Sequence, residues 1–364
     1  MDRHMKEFSE QDLSSRLRAI LPVDKKLAAE AMAHIDNLTK PRGSLGRLEE
    51  LAAKLYAIQG GKRPIKADPA RLVTIAGDHG VTEEGISSSP SIVTRQQVYN
   101  FLDGKGGISV MCRCSGIDHQ VADAGVFGDD FEEHPRLARG KVASGTANMV
   151  KGPAMTKSQC LAAVGFGIRL ADEAREQGYV CLGTGEMGIG NTTPSTAIFA
   201  ALYDLDPAGI TGPGAGIPPA GLEGKVAVIK KALDVNREAV ASKDPLAVLA
   251  AVGGLEIAAL AGLILGGAAN GMAVMMDGFI STAAYAVALA LSPNVREYCF
   301  FGHASAEPGH VKILEKLGER ALVDLDFRLG EGTGAVFGMV VLRHAAAMFN
   351  EMATFDQAGV TADH

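Results

Sequence analysis

The feature of this chain that most restricts its fold is a repeated unit, in which a short apolar run ends in a glycine-rich or polar turn before a helix-like segment. Such runs of strand length lie at 72–76, 120–122, 179–182, 272–276, 298–301 and 322–327. Strands that alternate with helices form parallel βαβ units. The sequence therefore predicts an α/β fold whose ligands bind beyond the carboxyl ends of the strands.

The two ends of the chain depart from this alternation. Residues 1 to about 62 have helical periodicity, interrupted at Arg42–Gly46, and the segment from about Ala335 to Phe355 predicts one more helix. We predict a small helical subdomain of residues 1–62 and about 335–364, beside a large α/β catalytic domain of residues 63–334. The charged segment Phe127–Gly140 predicts a surface loop.

The composition argues against a nucleic-acid partner. Lys and Arg number 35 against 42 Asp and Glu, so the formal net charge is −7. No basic excess is present to neutralise a phosphate backbone or an anionic membrane surface. The absence of Trp and the presence of only 6 Tyr also disfavour stacking platforms for single strands.

One apolar run, Ile257–Met276, is about as long as a membrane span. It is rich in Ala and Gly, contains Gly266, Gly267 and Asn270, and continues directly into a charged residue. A buried helix followed by a buried strand explains the same run. We therefore predict no membrane association.

The cysteines and the N-terminal segment indicate a compartment. The five cysteines form no CxxC pair and no Cys/His spacing that suits zinc. The polar N-terminal segment lacks the apolar core of a signal peptide. Together they predict a cytoplasmic protein with reduced thiols and no metal.

A long glycine loop, Gly183–Gly190, is the first candidate site. Glycines let backbone N–H groups approach an anion, and Asn191, Thr192 or Thr193 could cap a helix that begins near Pro194. This predicts a phosphate site at a helix N-terminus. The alternative is a tight turn with no ligand.

The same loop leaves a second function open. Gly183, Gly185 and Gly188 satisfy the GxGxxG pattern, and Asp204 or Asp206 lies at a tolerable spacing for a ribose contact. An NAD-dependent dehydrogenase is therefore an alternative, as is a nucleotide-binding module without catalysis.

Two further segments could bind an anion. Lys225 follows the glycine-rich stretch Gly212–Gly216 and could supply a positive charge to a phosphate, although local evidence alone favours a solvated lysine at a helix start. The segment His303–His310 contains two His and a Glu, but their spacing matches no zinc pattern. A loop that binds a small anion is consistent with this segment, and we predict no metal there.

A carboxylate between glycines is the candidate for acid–base chemistry. Glu331 lies in the segment LGEGTG, where a raised pKa in an apolar site would suit a general base. The alternative is an acidic residue that stabilises a helix N-terminus.

Elsewhere, Ser87–Pro90 and Gln96 could hydrogen-bond the edge of a heterocycle, or could cap the helix near 93–102.

Taken together, these segments closely resemble one family, nicotinate-nucleotide:dimethylbenzimidazole phosphoribosyltransferase, which activates the lower ligand of cobalamin. The matching segments occur in order along most of the chain: KPRGSLGRLEELA (40–52), AGDHGVTEEGIS (76–87), VTRQQVYNFLDGKGGISV (93–110), GEMGIGNTT (185–193), MMDGFISTAA (275–284), GHASAEPGH (302–310) and LDFRLGEGTGA (325–335). A set of this size is far more specific than any single motif.

The resemblance implies transfer of the 5-phosphoribosyl group from nicotinate mononucleotide to 5,6-dimethylbenzimidazole or a related base. It implies a Rossmann-like parallel sheet, a homodimer, no cofactor, and Glu331 as the catalytic base. The residues implied in nucleotide and phosphate binding are Glu186, Met187, Gly188, Ile189, Gly190, Asn191, Thr192, Lys225, Asp277, Ser305 and Glu307. Those implied around the acceptor base are Ser87 or Ser88, with Gln96 and Leu329.

Overall fold

The fold is built around one parallel sheet. The computed structural model describes residues 8–214 and 216–361. Within these residues the sheet has seven strands in the order β3-β2-β1-β4-β5-β6-β7. The strands are β1 (Ala70–Gly77), β2 (Asp118–Gly125), β3 (Leu137–Arg139), β4 (Cys181–Met187), β5 (Ala273–Met276), β6 (Cys299–Ala304) and β7 (Ala321–Asp324). All six neighbouring pairs are parallel, which confirms the predicted Rossmann-like α/β fold.

Helices flank the sheet and precede it. They are α1 (Glu10–Ala19), α2 (Lys25–Asp36), α3 (Arg47–Ile58), α4 (Ile92–Leu102), α5 (Gly107–Ser115), α6 (Lys157–Glu176), α7 (Thr192–Tyr203), α8 (Pro219–Val235), α9 (Arg237–Ser242), α10 (Pro245–Val252), α11 (Leu255–Ala269), α12 (Phe279–Leu291), α13 (His310–Leu317), α14 (Thr333–Glu351) and α15 (Phe355–Ala358). Residues 1–7, 215 and 362–364, which include parts of the predicted subdomain and of the second glycine stretch, lie outside the described residues.

The apolar run at 257–276 forms a buried helix and a buried strand, as predicted. Helix α11 is buried over nearly its whole length because α6 packs closely against it. A Cβ at Gly167 of α6 would lie 1.7 Å from the Ala259 carbonyl oxygen, so glycine permits this approach. In the described part of the chain, no helix has the length and apolar character needed to cross a bilayer.

The predicted glycine loop is partly wrong. Strand β4 continues to Met187, so Gly183 and Gly185 belong to the strand. Their role is to allow close packing, since a Cβ at Gly185 would lie 2.2 Å from the Glu331 carbonyl oxygen and one at Gly183 would lie 2.9 Å from the Met339 sulfur. The true turn is 188–191. Helix α7 begins at Thr192, two residues before the predicted start.

The surface loop predicted for Phe127–Gly140 is also partly wrong. This segment contains the edge strand β3 and the buried Phe131. The Arg95 guanidinium lies 4.3 Å from the centre of the Phe131 ring. Charged side chains are common on edge strands, where they discourage pairing with other chains, and here they obscured the strand in the sequence.

The two ends of the chain meet. The Thr39 amide donates to the Ala353 carbonyl at 3.0 Å, and the Phe355 amide donates to the Asn37 carbonyl at 3.1 Å. Helix α14 packs against α3 and also against the sheet. Contacts between the terminal segments are those expected of the proposed helical subdomain, whose boundaries remain a prediction.

Candidate active site

A cavity opens beyond the carboxyl ends of β4, β5 and β6, beside the point where the strand order reverses between β1 and β4. Ligands of open parallel sheets bind at such a reversal. Most of the residues predicted for the site line this cavity: Ser87, Glu186, Met187, Gly188, Ile189, Gly190, Asn191, Thr192, Lys225, Asp277, Ser305, Glu307 and Leu329. The carboxyl ends of the strands therefore bring together segments that are far apart in sequence.

Glu331 has a strained backbone. Its φ is +65°, between Gly330 at +79° and Gly332 at +105°. Such a conformation is unfavourable for a residue with a side chain and persists only when its surroundings hold it. The Thr74 hydroxyl donates to the Glu331 carbonyl at 2.9 Å, and Asp277 accepts from the Gly332 amide at 3.0 Å. Strain of this kind is a frequent mark of functional sites.

The Glu331 carboxylate is buried at the first turn of α5. It accepts a hydrogen bond of 3.3 Å from the Ile108 amide. Burial raises the pKa of Glu331 above its usual range, the Ile108 amide opposes this, and the nearby Asp277 carboxylate adds to it. A carboxylate with increased proton affinity suits a general base. The structure thus gives this residue both a fixed position and suitable chemistry.

Glu186, at the end of β4, is the neighbouring acid. It is buried, and the Asn191 side-chain amide donates to it. Burial is the largest cause that raises the pKa of Glu186, to about 8, although the Asn191 hydrogen bond lowers it. The raised pKa favours the protonated form of Glu186. Asn191 does not cap α7 with its side chain, contrary to one of the predicted roles, because its amide is held by Glu186.

The turn before α7 is tightly packed. A Cβ at Gly188 would lie 2.4 Å from the Gly77 carbonyl oxygen, so this position requires glycine. The Ile189 amide donates to the Thr94 hydroxyl at 3.1 Å and is therefore already satisfied by the protein.

Lys225 lies next to the N-terminus of α7. Its ammonium donates to the Thr192 hydroxyl at 2.7 Å and to the Gly212 carbonyl at 3.0 Å. Burial lowers the pKa of Lys225 to about 8, against the influence of Glu307. A helix N-terminus beside a buried ammonium attracts anions. The solvated lysine considered from the sequence is excluded because Lys225 is 2% exposed.

The loop after β6 forms the opposite wall. The Glu307 amide donates to the Ser305 hydroxyl at 3.3 Å. Burial raises the pKa of Glu307, while Lys225 lowers it. The Glu307 Oε2 atom is buried and has no hydrogen-bond partner among residues 8–214 and 216–361. This polar atom is available to a ligand.

Asp277 has an observed structural role. Besides the Gly332 amide, its carboxylate accepts from the Gly334 amide at 2.7 Å and from the Ala335 amide at 3.2 Å. It therefore caps α14 and fixes the segment that carries Glu331. Its predicted contact with the nucleotide remains a prediction, although it also lines the cavity.

The structure does not bring every predicted acceptor residue to the cavity wall. Ser87 lines the cavity and accepts from the Ser89 amide at 3.2 Å, whereas Ser88 and Gln96 are exposed and lie outside the lining. Leu329 lines the cavity beside the first turn of α5: a Cβ at Gly107 would lie 3.2 Å from Leu329 and 3.4 Å from the Glu331 carboxylate. The roles of Ser88 and Gln96 stay predictions.

Sequence reasoning gave no site role to several other lining residues, among them Phe279, Ser281 and Arg328. Each lies within a few residues of a strand end or of Glu331, inside segments that had already attracted attention. The rule that ligands bind at strand ends could have found them. Their side-chain types alone carried no signal.

The structure does not support the dehydrogenase alternative, because residues on which it rested have other roles. Asp204 ends α7 and pairs with Lys243 at 2.6 Å, away from the cavity lining. Two of the three glycines of the GxGxxG pattern serve close packing within β4, as described above. The comparisons with known proteins likewise support the phosphoribosyltransferase and not the dehydrogenase.

Residues 20–360 match the phosphoribosyltransferase family. The chain is 56% identical over 350 residues to the nicotinate-nucleotide–dimethylbenzimidazole phosphoribosyltransferase of Nitratidesulfovibrio vulgaris, which covers 96% of this chain and 98% of that protein. The protein of the same name from Oleidesulfovibrio alaskensis is 58% identical over 344 residues, 94% of this chain and 96% of its own.

A solved structure agrees. The crystal structure of the Thermus thermophilus enzyme of this name superposes with a TM-score of 0.87 at 42% identity, covering 93% of this chain and all of that chain. The resemblance found in the sequence is confirmed by these matches over nearly the full length. The chain belongs to the nicotinate-nucleotide–dimethylbenzimidazole phosphoribosyltransferase family.

Proposed function

We propose that the protein transfers the 5-phosphoribosyl group of nicotinate mononucleotide to 5,6-dimethylbenzimidazole or a related base. The products are nicotinate, which is released, and α-ribazole phosphate, which serves the nucleotide loop of cobalamin. The names of its relatives support both substrates. The observation that carries the proposal for this chain is that one cavity is lined both by Leu329 and Gly330, which precede Glu331, and by the Lys225–Thr192 pair; Glu331 itself is not among the lining residues.

The donor is already activated for this reaction. When the bond to C1′ breaks, its electron pair returns to the ring nitrogen, so the positively charged pyridinium becomes the uncharged pyridine ring of nicotinate. One nitrogen of the acceptor forms the new bond to C1′, from the face opposite to the leaving group. Such attack inverts the anomeric centre and gives the α-riboside.

Glu331 acts in this proposal as the general base. The acceptor loses the proton from its second nitrogen as the first attacks, and the Glu331 carboxylate takes that proton. Support comes from its raised pKa and its fixed, strained backbone. The bound phosphate and the aligned rings contribute proximity and orientation.

The nucleotide phosphate binds between the turn before α7 and Lys225. A dianion there would accept hydrogen bonds from the Lys225 ammonium and interact favourably with the N-terminus of α7. The Ser305–Glu307 loop completes this part of the site, and Glu186 lies near the ribose. Ser87 or Ser88, Gln96 and Leu329 face the acceptor base.

The decisive experiment measures nicotinate release from nicotinate mononucleotide with a panel of benzimidazoles, purines and phenols. We expect release that depends on the acceptor, with an α-riboside as the product by NMR. Release without an acceptor would indicate hydrolysis and contradict the proposal. Binding of the mononucleotide without release would indicate the non-catalytic module.

The cytoplasmic location and the homodimer are also proposals. All five cysteines are free thiols, as is typical of a reducing compartment. The family resemblance supports the dimer, and α4 exposes Ile92 and Tyr99 as apolar surface that a second copy could cover. Sedimentation equilibrium would test the dimer, and a monomer at micromolar concentration would contradict it.

A further inference from the structure

His310 lies behind the cavity wall and connects two of its loops. The side chain is fully buried at the first residue of α13 and does not itself line the cavity. Its Nδ1 atom is 2.8 Å from the Ser305 amide, and its Nε2 atom is 3.0 Å from the Thr282 hydroxyl. One imidazole therefore joins the loop after β6 to the first turn of α12.

These hydrogen bonds determine which nitrogen carries the proton. A backbone amide can only donate, so Nδ1 must accept from Ser305 and cannot carry a proton. The neutral ring therefore has its proton on Nε2, which donates to Thr282. The Thr282 hydroxyl proton is directed to the Gly278 carbonyl at 2.8 Å, which leaves its oxygen free to accept. The three hydrogen bonds are therefore all made when each donor points from Ser305 toward Gly278: the Ser305 amide to His310, His310 to Thr282, and Thr282 to the Gly278 carbonyl.

The two connected loops carry residues of the proposed nucleotide site. Ser305 and Glu307 lie at one end of the chain of hydrogen bonds, and Gly278 lies at the other. The His310 backbone amide also donates to the Glu307 carbonyl at 2.9 Å. The imidazole thus limits how far these two walls can separate.

We propose that His310 is a positioning residue, which holds the Ser305–Glu307 loop for the nucleotide through the Nε2-protonated tautomer of its ring. The inference rests on the proposed function, because it assigns the nucleotide to that loop. His310 does not touch the substrate and takes no proton during the reaction.

The surroundings keep this ring neutral. Burial and the neighbouring His303 lower the pKa of His310 to about 3. A second proton on Nδ1 would also point at the Ser305 amide proton. Positioning by His310 should therefore be constant across the working pH range, in contrast to a histidine that acts as acid or base.

Two substitutions separate the two hydrogen bonds. In His310→Asn the amide oxygen can occupy the position of Nδ1 and accept from Ser305. In His310→Gln the amide reaches the position of Nε2 and the Ser305 amide loses its acceptor. We expect H310Q to raise the KM for nicotinate mononucleotide about tenfold, the scale for a buried donor left without a partner, with a smaller change in kcat. H310N should recover most of this loss.

The matched variant Thr282→Val removes the other end. It leaves the Ser305 contact in place, so its effect on KM should be smaller than that of H310Q. Equal KM values for H310N and H310Q would overturn the proposal, because ring volume rather than the Nδ1 acceptor would then matter. Unchanged KM in H310Q with a lowered Tm would also overturn it, since the role would then be purely structural.

Two measurements do not depend on turnover. Hydrogen exchange of the peptide that contains Ser305 should be slow in wild type and H310N and faster in H310Q. The ¹⁵N chemical shifts of His310 should show a proton on Nε2 and none on Nδ1 at pH 7, and the opposite tautomer would overturn the assignment. If the wild type neither binds nor consumes the mononucleotide, the proposed function fails, whatever these two measurements show.

Discussion

Polar groups differ between the amino ends of the strands, here called the amino edge of the sheet, and their carboxyl ends, here called the carboxyl edge. At the amino edge, Arg71 donates to Asp118 at 2.6 Å, to Gln177 at 2.9 Å and to Tyr179 at 3.0 Å. Its guanidinium also lies 4.1 Å from the centre of the Tyr179 ring, and one nitrogen, Nη1, lacks a partner in the described part of the chain.

At the carboxyl edge, buried polar atoms remain without protein partners. His303 Nδ1 and Glu307 Oε2 have no hydrogen-bond partner among the residues that the structure describes, although His303 Nδ1 lies 3.7 Å from Asp277 Oδ1, and Glu331 has a strained backbone. Buried polar groups are normally hydrogen-bonded. An unpaired atom occurs at both edges, but the carboxyl edge also has the strained backbone of Glu331 and the cavity. The contrast indicates that the amino edge contributes stability, whereas the carboxyl edge gives up stability for a binding site.

The largest effect should come from Glu331→Gln at the carboxyl edge. We expect turnover to fall about 100-fold or more, the scale of a lost general base, while calorimetry shows nearly unchanged binding of nicotinate mononucleotide. Asp326→Asn, an exposed position in the same segment, is the matched control. Wild-type turnover in the Gln variant would remove Glu331 from the role of base.

Lys225→Met should have the next largest effect. It removes the buried ammonium beside Thr192, and we expect the KM for the mononucleotide to rise about 10- to 100-fold with a smaller change in kcat. The control is Lys230→Met on the exposed side of α8, which should behave as wild type. Equal KM values for the two variants would place the phosphate elsewhere.

Lys225 also predicts a dependence on pH. Because burial lowers the pKa of Lys225 to about 8, the empty site loses its positive charge as pH rises above that value. Affinity for the mononucleotide should then fall by up to about tenfold per pH unit, measured by calorimetry between pH 7 and 9.5. Glu186 and Glu307 also face the site, and burial raises the pKa of both, so K225M must lose this decrease if Lys225 causes it. A decrease of the same size in K225M would assign it to the carboxyl groups.

The smallest effect on activity should come from the amino edge. Arg71→Met removes three hydrogen bonds far from the cavity, and we expect it to lower the free energy of unfolding by about 1–3 kcal/mol, as found for buried groups that lose a partner. Its kcat/KM should equal that of wild type, and Arg175→Met, at an exposed position of α6, should change neither quantity. Urea denaturation and the nicotinate-release assay measure the two effects. If R71M is fully folded under the assay conditions and its kcat/KM is still reduced, the amino edge contributes to activity and the contrast between the two edges is wrong.

The sequence by itself determined the α/β class, the positions of six of the seven strands in the described part of the chain, and the family. Apolar runs such as 72–76 and 272–276 are local signals, because a strand buried on both faces must be apolar along its whole length. The weakly apolar edge strand β3 gave no such signal. Glu331 stood out as a carboxylate between glycines at a predicted strand end, and Lys225 as a cation after a glycine-rich stretch; the family resemblance assigned their roles.

Only the tertiary structure decided how the site is assembled. Gly183 and Gly185 read as loop residues until the close approach of α14 and the Glu331 backbone showed why a strand needs them. The roles of Asp277 and His310 could not be read from the sequence for the same reason. Asp277 accepts from backbone amides that lie 55 or more positions away, and His310 contacts the hydroxyl of Thr282, 28 positions away; such contacts are fixed only when the chain has folded.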